Sequence, residues 1–531
     1  MSDIVENTAI AAPSASGNSR IAARYDQAPY DSHCYPQSHP ARLAAIASLF
    51  GLSPPQVANA RVLEIGCASG GNIIPLAAQF PNAKFTGLEL SPVQAQAGAS
   101  MIERLGLANI QILAGDVAYF SAKGAKFDFI LCHGVYSWAP QSVRDAILQL
   151  IGKRLAPDGV AFVSYNVLPG WRPKQVLRDA LMSRVKDLAD VGAQIAFTRA
   201  FLDRLKQWPG GQSSYHRDLK DIAAHAEGLR DDYVAHEFLE IDNEPQTFMQ
   251  FVEEADRAGL TFLGESELWM QIAENFDAPT RELLRDLSDN RLLAMEQSID
   301  ILTGRTFRQT LLVNRSQGEK IIRLLAPERL KGLHIMGPVR LLEEDNSAPG
   351  WTFQGVGQKR LTTSSPAAKR AFDALAQRGA SSLSFETMLA AGGGDEAERA
   401  LVADAIYKAV VAGIVNIWST PVEVANGVAA MPIAPSWARA EVEAGQSHIA
   451  NARHESATLN IVGRILFPLL DGAHDAPALE AALAASVVRD EVQFLRDGAR
   501  VVDADGVAAC VREHVARTLD QFAAAALLQS A

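Results

Sequence analysis

Between Arg61 and Glu265 the chain alternates short apolar runs with amphipathic stretches of helical length, and this alternation constrains the fold more than any other feature. The apolar runs are VLEIG (62–66), KFTGLEL (84–90), IQILAGD (110–116), FDFILCHG (127–134) and GVAFVSYNV (159–167). Strands that alternate with helices of this length form βαβ units around a parallel sheet. The pattern therefore predicts an α/β domain, in which ligands bind at the carboxyl edge of the strands.

The remaining segments predict further units. Residues 174–230 have a purely helical pattern, and HEFLE (236–240) and LTFLGE (260–265) then resume the alternation, so the helical stretch is predicted to be an insertion in the sheet domain. The predicted organisation is a disordered tail (1–20), the sheet domain (21–173 and 231–265), the helical insertion (174–230), a helical connector (266–330), an α+β middle domain (331–435) and a small winged-helix-like C-terminal domain (436–531).

Composition excludes several classes of protein. The 531 residues are 48% hydrophobic and 21% charged, which is typical of globular rather than disordered chains. A net charge of −12 argues against binding to nucleic acid or to an anionic membrane. No signal-peptide pattern and no run of about 18 apolar residues is present, so no membrane insertion is expected. The four cysteines are far apart, which predicts neither a disulfide framework nor a metal site. We therefore expect a soluble, cytoplasmic protein.

The first strand runs into a glycine-rich turn, VLEIGCASGGN (62–72). Glycine at Gly66 and Gly70 lets the backbone bend tightly and approach a ligand. Glu89 ends the second strand, 23 residues after Gly66. An acid at about this distance from such a turn accepts hydrogen bonds from the hydroxyls of an adenosine ribose. The spacing therefore predicts a nucleoside-binding site, for either a dinucleotide or S-adenosylmethionine.

Two further acids favour the second ligand. A dinucleotide needs the G-x-G-x-x-G turn for its pyrophosphate, but Ala68 occupies the place of the middle glycine, and Glu64 lies two residues before Gly66. Negative charge at this point repels a pyrophosphate and attracts a ligand that carries an ammonium and a sulfonium. Asp116 ends the third strand and is placed to accept a bond from an adenine amino group. Three acids at successive strand ends thus point to a cationic adenosine ligand.

In these motifs the sequence resembles the class I S-adenosylmethionine-dependent methyltransferases. The matching motifs are LEIGCASGGN (63–72), GLELSP (87–92), AGDV (114–117), FDFILCHGVYSWAP (127–140) and RLAPDGVAFVSYN (154–166). The resemblance implies a Rossmann-like sheet with a helical insertion, S-adenosylmethionine as cofactor and S-adenosylhomocysteine as product. The residues that it implies for cofactor binding are Glu64, Gly66, Cys67, Ala68, Gly70, Glu89, Leu90, Asp116, Val117 and His133.

The chain also resembles a bacterial subgroup that carries a methyltransferase regulatory region. The segments that carry this similarity are YDQAPYDSHCYPQSHP (25–40), HEFLE (236–240), GRTFRQTLLV (304–313) and ARHESATLNIVGRILFPLLDGAHDAPALEAAL (452–483). Characterised members of the subgroup methylate lysine side chains of bacterial outer-membrane proteins. They have a helical dimerisation insertion followed by middle and C-terminal domains. The resemblance therefore implies a protein substrate and a homodimer.

Aromatic and polar residues near the predicted sheet edge are candidates for holding the methyl acceptor. The catalytic candidates are His133, Tyr136, Tyr165, Asn166, Tyr30 and Tyr35, and His33, Trp138 and Trp171 are further acceptor-site candidates. His133 has the best side chain for a general base. Cys67 and Cys132 are interpreted as small buried hydrophobes, because nothing near them lowers a thiol pKa.

Three functions remain open at this point. The first is methylation of protein lysines, the second is methylation of a small molecule, and the third is a regulatory protein that binds S-adenosylmethionine without transferring methyl. Residues 436–531 contain no lysine and more acidic than basic side chains, whereas a DNA-reading winged helix needs a basic face. We therefore expect this domain to recognise protein or to give structural support, and we expect no nucleic acid partner.

Overall fold

The structure is a computed structural model, and it describes residues 32–120, 124–188, 190–209, 211, 213–342, 350–446, 448–496 and 498–530. The predicted disordered tail and the candidate Tyr30 lie outside these residues. Within them, no helix combines the length and the apolar character that a membrane crossing requires.

A seven-stranded sheet forms the centre of the described residues up to Asn314, in the order β3-β2-β1-β4-β5-β7-β6. Its strands are β1 (Arg61–Ile65), β2 (Lys84–Glu89), β3 (Ile110–Ala114), β4 (Phe127–Cys132), β5 (Leu155–Asn166), β6 (Leu260–Glu265) and β7 (Phe307–Asn314). The first five strands pair in parallel, whereas β7 runs antiparallel to both β5 and β6. The predicted α/β, Rossmann-like fold is confirmed.

Helices cover both faces of the sheet, so its central strands are apolar on both sides. In β1, Val62 belongs to one buried cluster, and Leu63 and Ile65 belong to the cluster on the opposite face. The helices of this domain are Pro40–Leu49, Ile73–Gln79, Pro92–Leu105, Gln141–Arg154, Phe248–Arg257, Ala278–Ser288 and Leu292–Thr303. This double covering leaves the carboxyl edge of the strands as the place for a site.

The prediction that residues 266–330 form a purely helical connector was wrong, because this segment contains strand β7. The segment does contain two helices, but Phe307–Asn314 then enters the sheet between β5 and β6, with Leu311 opposite Phe162 of β5. The sequence shows an apolar run here, but it does not show which strand this run pairs with. The partner β5 lies some 150 residues earlier, and pairing over such a distance leaves no local signal. The sheet domain therefore extends to Asn314 rather than to residue 265.

Four helices form the region inserted between β5 and the later strands. They are Arg172–Val185, Val191–Gln207, Ser214–Glu227 and Asp231–Leu239. Leu181, Leu202 and Phe238 are among the side chains of their own apolar cluster. The prediction that HEFLE (236–240) resumes the strand-and-helix rhythm was wrong, because residues 236–239 form the end of the fourth helix. The helical region thus runs from 172 to 239, slightly beyond the predicted 174–230.

The rest of the chain forms two smaller units. In residues 334–418, strands His334–Met336, Arg340–Leu341, Trp351–Gln354, Arg360–Thr363, Leu383–Ser384 and Asn416–Trp418 accompany helices Pro366–Gln377, Phe385–Gly392 and Glu396–Val411. In residues 436–524, helices Ser436–Glu443, Ile461–Leu466, Ala476–Val488 and Ala504–Ala524 surround two hairpins. The hairpins are His448–Ala450 with Ser456–Thr458 and Leu495–Arg496 with Ala499–Arg500.

Candidate active site

The turn after β1 brings its backbone against the edge of the sheet. Gly66 has φ +70°, and a Cβ at this residue would lie 2.3 Å from Cγ2 of Val135, so only glycine fits. The Gly66 amide donates to the Leu88 carbonyl at 2.7 Å, which ties the turn to β2. Ala68 also adopts a left-handed conformation, with φ +49°. The turn therefore keeps the backbone shape of a glycine loop although an alanine replaces the middle glycine.

The three predicted acids line one cavity of about 910 Å³ at the carboxyl edge of the strands. Glu89 accepts hydrogen bonds from the backbone amides of Ala68 at 2.9 Å and Ser91 at 2.8 Å. Asp116 accepts from the Ala118 amide at 2.9 Å. These bonds fix both carboxylates at the wall of the cavity.

Glu64 is the most unusual of the three acids. Its Oε1 accepts a hydrogen bond from Nδ2 of Asn72 at 2.7 Å, while its Oε2 is buried and has no hydrogen-bond partner among the described residues. Burial raises the pKa of Glu64 to about 8; the bond from Asn72 opposes this rise and the charge of Glu89 adds to it. A buried carboxyl with an unused oxygen fits a ligand that brings a positive charge. The cavity thus meets the charge requirement of S-adenosylmethionine.

Most of the predicted site residues lie around this cavity. Those that line it are Glu64, Gly66, Cys67, Ala68, Glu89, Leu90, Asp116, Val117 and His133 at the predicted cofactor positions, and His33, Tyr35, Trp138, Asn166 and Trp171 at the predicted acceptor positions. Gly70 is not part of the lining and lies in the turn, where a Cβ would come within 2.7 Å of Ile74 and 2.9 Å of Ile112. Burial raises the pKa of the Cys67 thiol, and that of Cys132 to about 12, which agrees with inert thiols.

Two predicted catalytic residues, Tyr136 and Tyr165, are placed elsewhere. Tyr136 is fully buried and donates its hydroxyl to Glu254 at 2.6 Å. Tyr165 stacks on Phe251 with ring centroids 4.0 Å apart. Successive side chains of a strand alternate between faces, so Asn166 reaches the cavity while its neighbour Tyr165 packs into the core. The prediction that both tyrosines contact the acceptor was therefore wrong.

His133 lines the cavity beneath an aromatic ring. Its imidazole stacks on Tyr35, with centroids 3.7 Å apart. Burial lowers the pKa of His133 to about 4, so the ring is neutral at physiological pH. Such a ring is a weak proton acceptor, although its position at the edge of β4 is as predicted from the sequence.

The fourth inserted helix supplies residues that the sequence analysis did not select. Tyr233, His236, Glu237 and Glu240 line the cavity. Nδ1 of His236 lies 3.0 Å from Oε1 of Glu240, one helical turn away. The spacing of four residues in HEFLE would have shown this pair had the segment been taken as helix rather than strand.

Lys174 also lines the cavity, beside the fourth inserted helix. Nζ of Lys174 lies 4.3 Å from the centroid of the Trp171 ring and forms an ion pair with Glu237. Trp171 meets Trp138 edge to face, with centroids 6.2 Å apart. One indole and one carboxylate therefore hold an alkylammonium group at this end of the cavity, and a second indole packs against the first.

Comparison with known proteins agrees with this geometry. Three family models match the chain, described as "Methyltransferase domain" over residues 62–159, "Predicted methyltransferase regulatory domain" over residues 230–314 and "PKMT, C-terminal winged helix domain" over residues 430–527. The winged-helix prediction for the C-terminal unit is thus confirmed. The methyltransferase match runs from β1 into the start of β5 and includes the three acids.

Relatives and solved structures extend the match over nearly the whole chain. Uncharacterized protein RP028 of Rickettsia prowazekii is 32% identical over 234 residues, 44% of this chain and 94% of that protein. Uncharacterized protein RP789 of the same organism is 28% identical and covers 95% of this chain and 93% of its own length. The structure of PKMT2 from Rickettsia typhi in complex with AdoHcy is 26% identical, with a TM-score of 0.84, covering 94% of this chain and 100% of that one.

Sequence motifs, fold and cavity agree on the cofactor, which is S-adenosylmethionine. The chain belongs to the class I S-adenosylmethionine-dependent methyltransferases, in the family that joins a methyltransferase regulatory domain to a PKMT C-terminal winged-helix domain.

Proposed function

We propose that the protein methylates lysine side chains of a protein substrate. The observation that carries this proposal is the site of Lys174, where the Trp171 ring and the Glu237 carboxylate hold a lysine ammonium at the wall of the cofactor cavity. A wall that holds one alkylammonium group suits another, because aromatic faces and carboxylates attract cations. The similarity to PKMT2 and to the PKMT winged-helix domain supports the same substrate class.

The three acids are proposed to hold the cofactor by its separate parts. Glu89 accepts from the ribose hydroxyls, Asp116 accepts from the adenine amino group, and Glu64 pairs with the ammonium of the methionine end. The backbone of Gly66 and Ala68 follows the ligand closely, and the other predicted contacts that line the cavity are Cys67, Leu90, Val117 and His133. The bound cofactor supplies a methyl carbon that its sulfonium has already activated. The protein therefore has to align an acceptor and to exclude water.

The acceptor amine must lose its proton before transfer, since lysine has a reference pKa of about 10.4. We assign proton acceptance to His236, which lines the cavity and is oriented by Glu240. This assignment replaces His133, whose pKa of about 4 leaves it a poor base. A base held by a carboxylate partner is the arrangement that general-base chemistry requires. Asn166 and Tyr35 also line the cavity.

The alternatives are a small-molecule acceptor and a binding protein without transferase activity. The test incubates the protein with isotopically labelled methyl donor and a lysate of its host. Mass spectrometry of the protein and metabolite fractions then locates the label. We expect methylated lysines. Label confined to metabolites would establish the first alternative, and no transfer with tight cofactor binding would establish the second.

The base is tested with two matched variants of the inserted helices. We expect His236→Asn to lower kcat by about 10² or more, the usual contribution of a general base, with the affinity for S-adenosylhomocysteine unchanged. The control is His225→Asn, which removes a second imidazole from the same cavity and should have a small effect on kcat. Equal losses in the two variants would refute the assignment.

We also propose a homodimer in the cytoplasm, with the helical region 174–230 at the interface. The exposed aromatic side chains Trp208 and Tyr215, at 47% and 43% exposure, support this role for the region. The four buried thiols carry no disulfide, which suits a reducing compartment. Substituting Trp208 by Glu should halve the mass measured by light scattering.

A further inference from the structure

The C-terminal domain forms part of the cofactor cavity. His448, Glu455 and Ser456 belong to its first hairpin, and all three line the cavity together with the three acids of the sheet domain. This places a unit more than 350 residues away in sequence beside the turn that follows β1. The domain is therefore positioned to affect cofactor binding directly.

A fully buried histidine in the same hairpin connects the two domains. Nε2 of His454 lies 2.8 Å from Oδ1 of Asn72, and Nδ2 of Asn72 donates to Oε1 of Glu64 at 2.7 Å. His454 is 0% exposed, Asn72 2% and Glu64 3%, so water does not compete for these bonds. Three polar side chains thus form one chain of contacts that ends on the carboxylate with the unused oxygen.

The direction of these hydrogen bonds follows from a backbone amide. The Tyr35 amide can only donate, and it lies 2.9 Å from the same Asn72 oxygen, which identifies that atom as the acceptor Oδ1. His454 must therefore donate from Nε2. Burial lowers the pKa of His454 to about 3, so its ring is neutral and carries a single proton. Hydrogen bonds in such a series polarise one another in a dry environment.

The hairpin loop holds this histidine rigidly. Oδ1 of Asn451 accepts from the amides of Arg453 at 2.9 Å and Glu455 at 2.8 Å, and its Nδ2 donates to the carbonyl of Ala525 in the C-terminal domain. His454 between them adopts φ +60°, a left-handed conformation that a non-glycine residue keeps only when its surroundings impose it. The loop therefore fixes the direction of the imidazole toward Asn72.

We propose that His454 is a positioning residue for cofactor binding, which acts through Asn72 to hold Glu64 toward the ammonium at the methionine end. The C-terminal domain is then a component of the cofactor site in addition to any role in substrate recognition. This inference concerns cofactor affinity and stands apart from the proposed lysine acceptor.

The test compares two ligands by calorimetry with the full-length protein. S-adenosylhomocysteine carries the amino-acid end, whereas 5′-methylthioadenosine keeps the nucleoside and lacks that end. His454→Asn tolerates the left-handed backbone but its amide nitrogen falls short of Asn72. We expect this variant to bind S-adenosylhomocysteine about tenfold more weakly, on the scale of one buried hydrogen bond, and 5′-methylthioadenosine as the wild type does.

Three further variants test whether His454 acts through Asn72 and Glu64. His454→Gln places an amide nitrogen near the position of Nε2 and should restore the affinity. His474→Ala removes a half-exposed histidine that pairs with Asp471 in the same domain, and should leave both affinities unchanged. In a Glu64→Gln background, His454→Asn should cause no additional loss. Equal weakening of both ligands, an unchanged affinity for S-adenosylhomocysteine, or a full additional loss in the Glu64→Gln background would each overturn the proposal.

Discussion

Cofactor binding is expected to displace a proton from Glu64. The pKa of this buried carboxyl is raised to about 8 in the ligand-free protein, so the protonated form dominates at pH 7. The ammonium of the ligand pairs only with the ionised form. Binding at neutral pH therefore requires ionisation first, and the apparent affinity should increase as the pH rises from 6 toward 8.

The size of the effect follows from the position of this pKa. At pH 7 roughly one tenth of Glu64 is ionised, which weakens binding by about 1–2 kcal/mol, and one pH unit lower the penalty is about twice as large. Each molecule bound at pH 7 should release close to one proton. Calorimetry with S-adenosylhomocysteine in two buffers of different ionisation enthalpy measures this number directly.

A matched pair of variants tests whether the released proton comes from Glu64. Glu64→Gln should abolish both the proton release and the pH dependence between pH 6 and 8. Glu441 is a suitable control, because burial raises its pKa to about 8 as well, yet it does not line the cavity. Glu441→Gln should therefore leave the released proton unchanged. If wild-type protein releases no proton at pH 7, or if Glu64→Gln releases as much as wild type, the account of Glu64 is wrong.

Three further predictions concern the other acids and the core. Glu89→Ala should weaken cofactor binding by about 2–3 kcal/mol, measured by calorimetry, since it removes an acceptor of charge-assisted bonds; unchanged binding would mean that Glu89 does not hold the ribose. Glu237→Gln should raise KM for a lysine-bearing acceptor and leave the Kd of S-adenosylhomocysteine unchanged; a raised Kd would place Glu237 at the cofactor instead. Arg308→Met should lower the free energy of unfolding by about 3–5 kcal/mol in urea titrations, because it leaves a group of buried carboxylates without their cation, whereas Arg360→Met at an exposed position should have little effect.

The sheet and the cofactor acids could be predicted from the sequence because each depends on a pattern of neighbouring residues. A strand followed by a turn and a helix has a recognisable hydrophobic period, and an acid at the strand end can be counted from the glycine of the turn. Glu64, Glu89 and Asp116 consequently lie around one cavity, as predicted. The face of the strand on which a side chain lies was harder to predict: Tyr165 and Asn166 were both assigned to the site, but only Asn166 lines the cavity.

Residues that depend on distant pairing were not accessible from the sequence. Phe307 and Gln309 line the cavity because β7 inserts beside β5, and no local pattern predicts that pairing. Two further cavity residues, His236 and Glu240, were hidden because HEFLE was taken to resume the strand-and-helix alternation. The helix that ends in this segment, Asp231–Leu239, belongs to the inserted region, and its place beside the cavity depends on tertiary packing rather than on a local pattern.

The segment described as a regulatory domain, residues 230–314, forms part of the wall of the cavity. That segment contributes Tyr233, His236, Glu237, Phe307 and Gln309 to the lining of the cavity, so it cannot move without changing the cavity. The C-terminal domain contributes through its first hairpin in the same way. The segment from β1 to β5 therefore carries the cofactor acids but not a complete cavity, because residues 230–314 and the C-terminal hairpin supply further parts of its lining. Coupling between the regions and activity then requires no separate effector site, because each region is itself part of the wall.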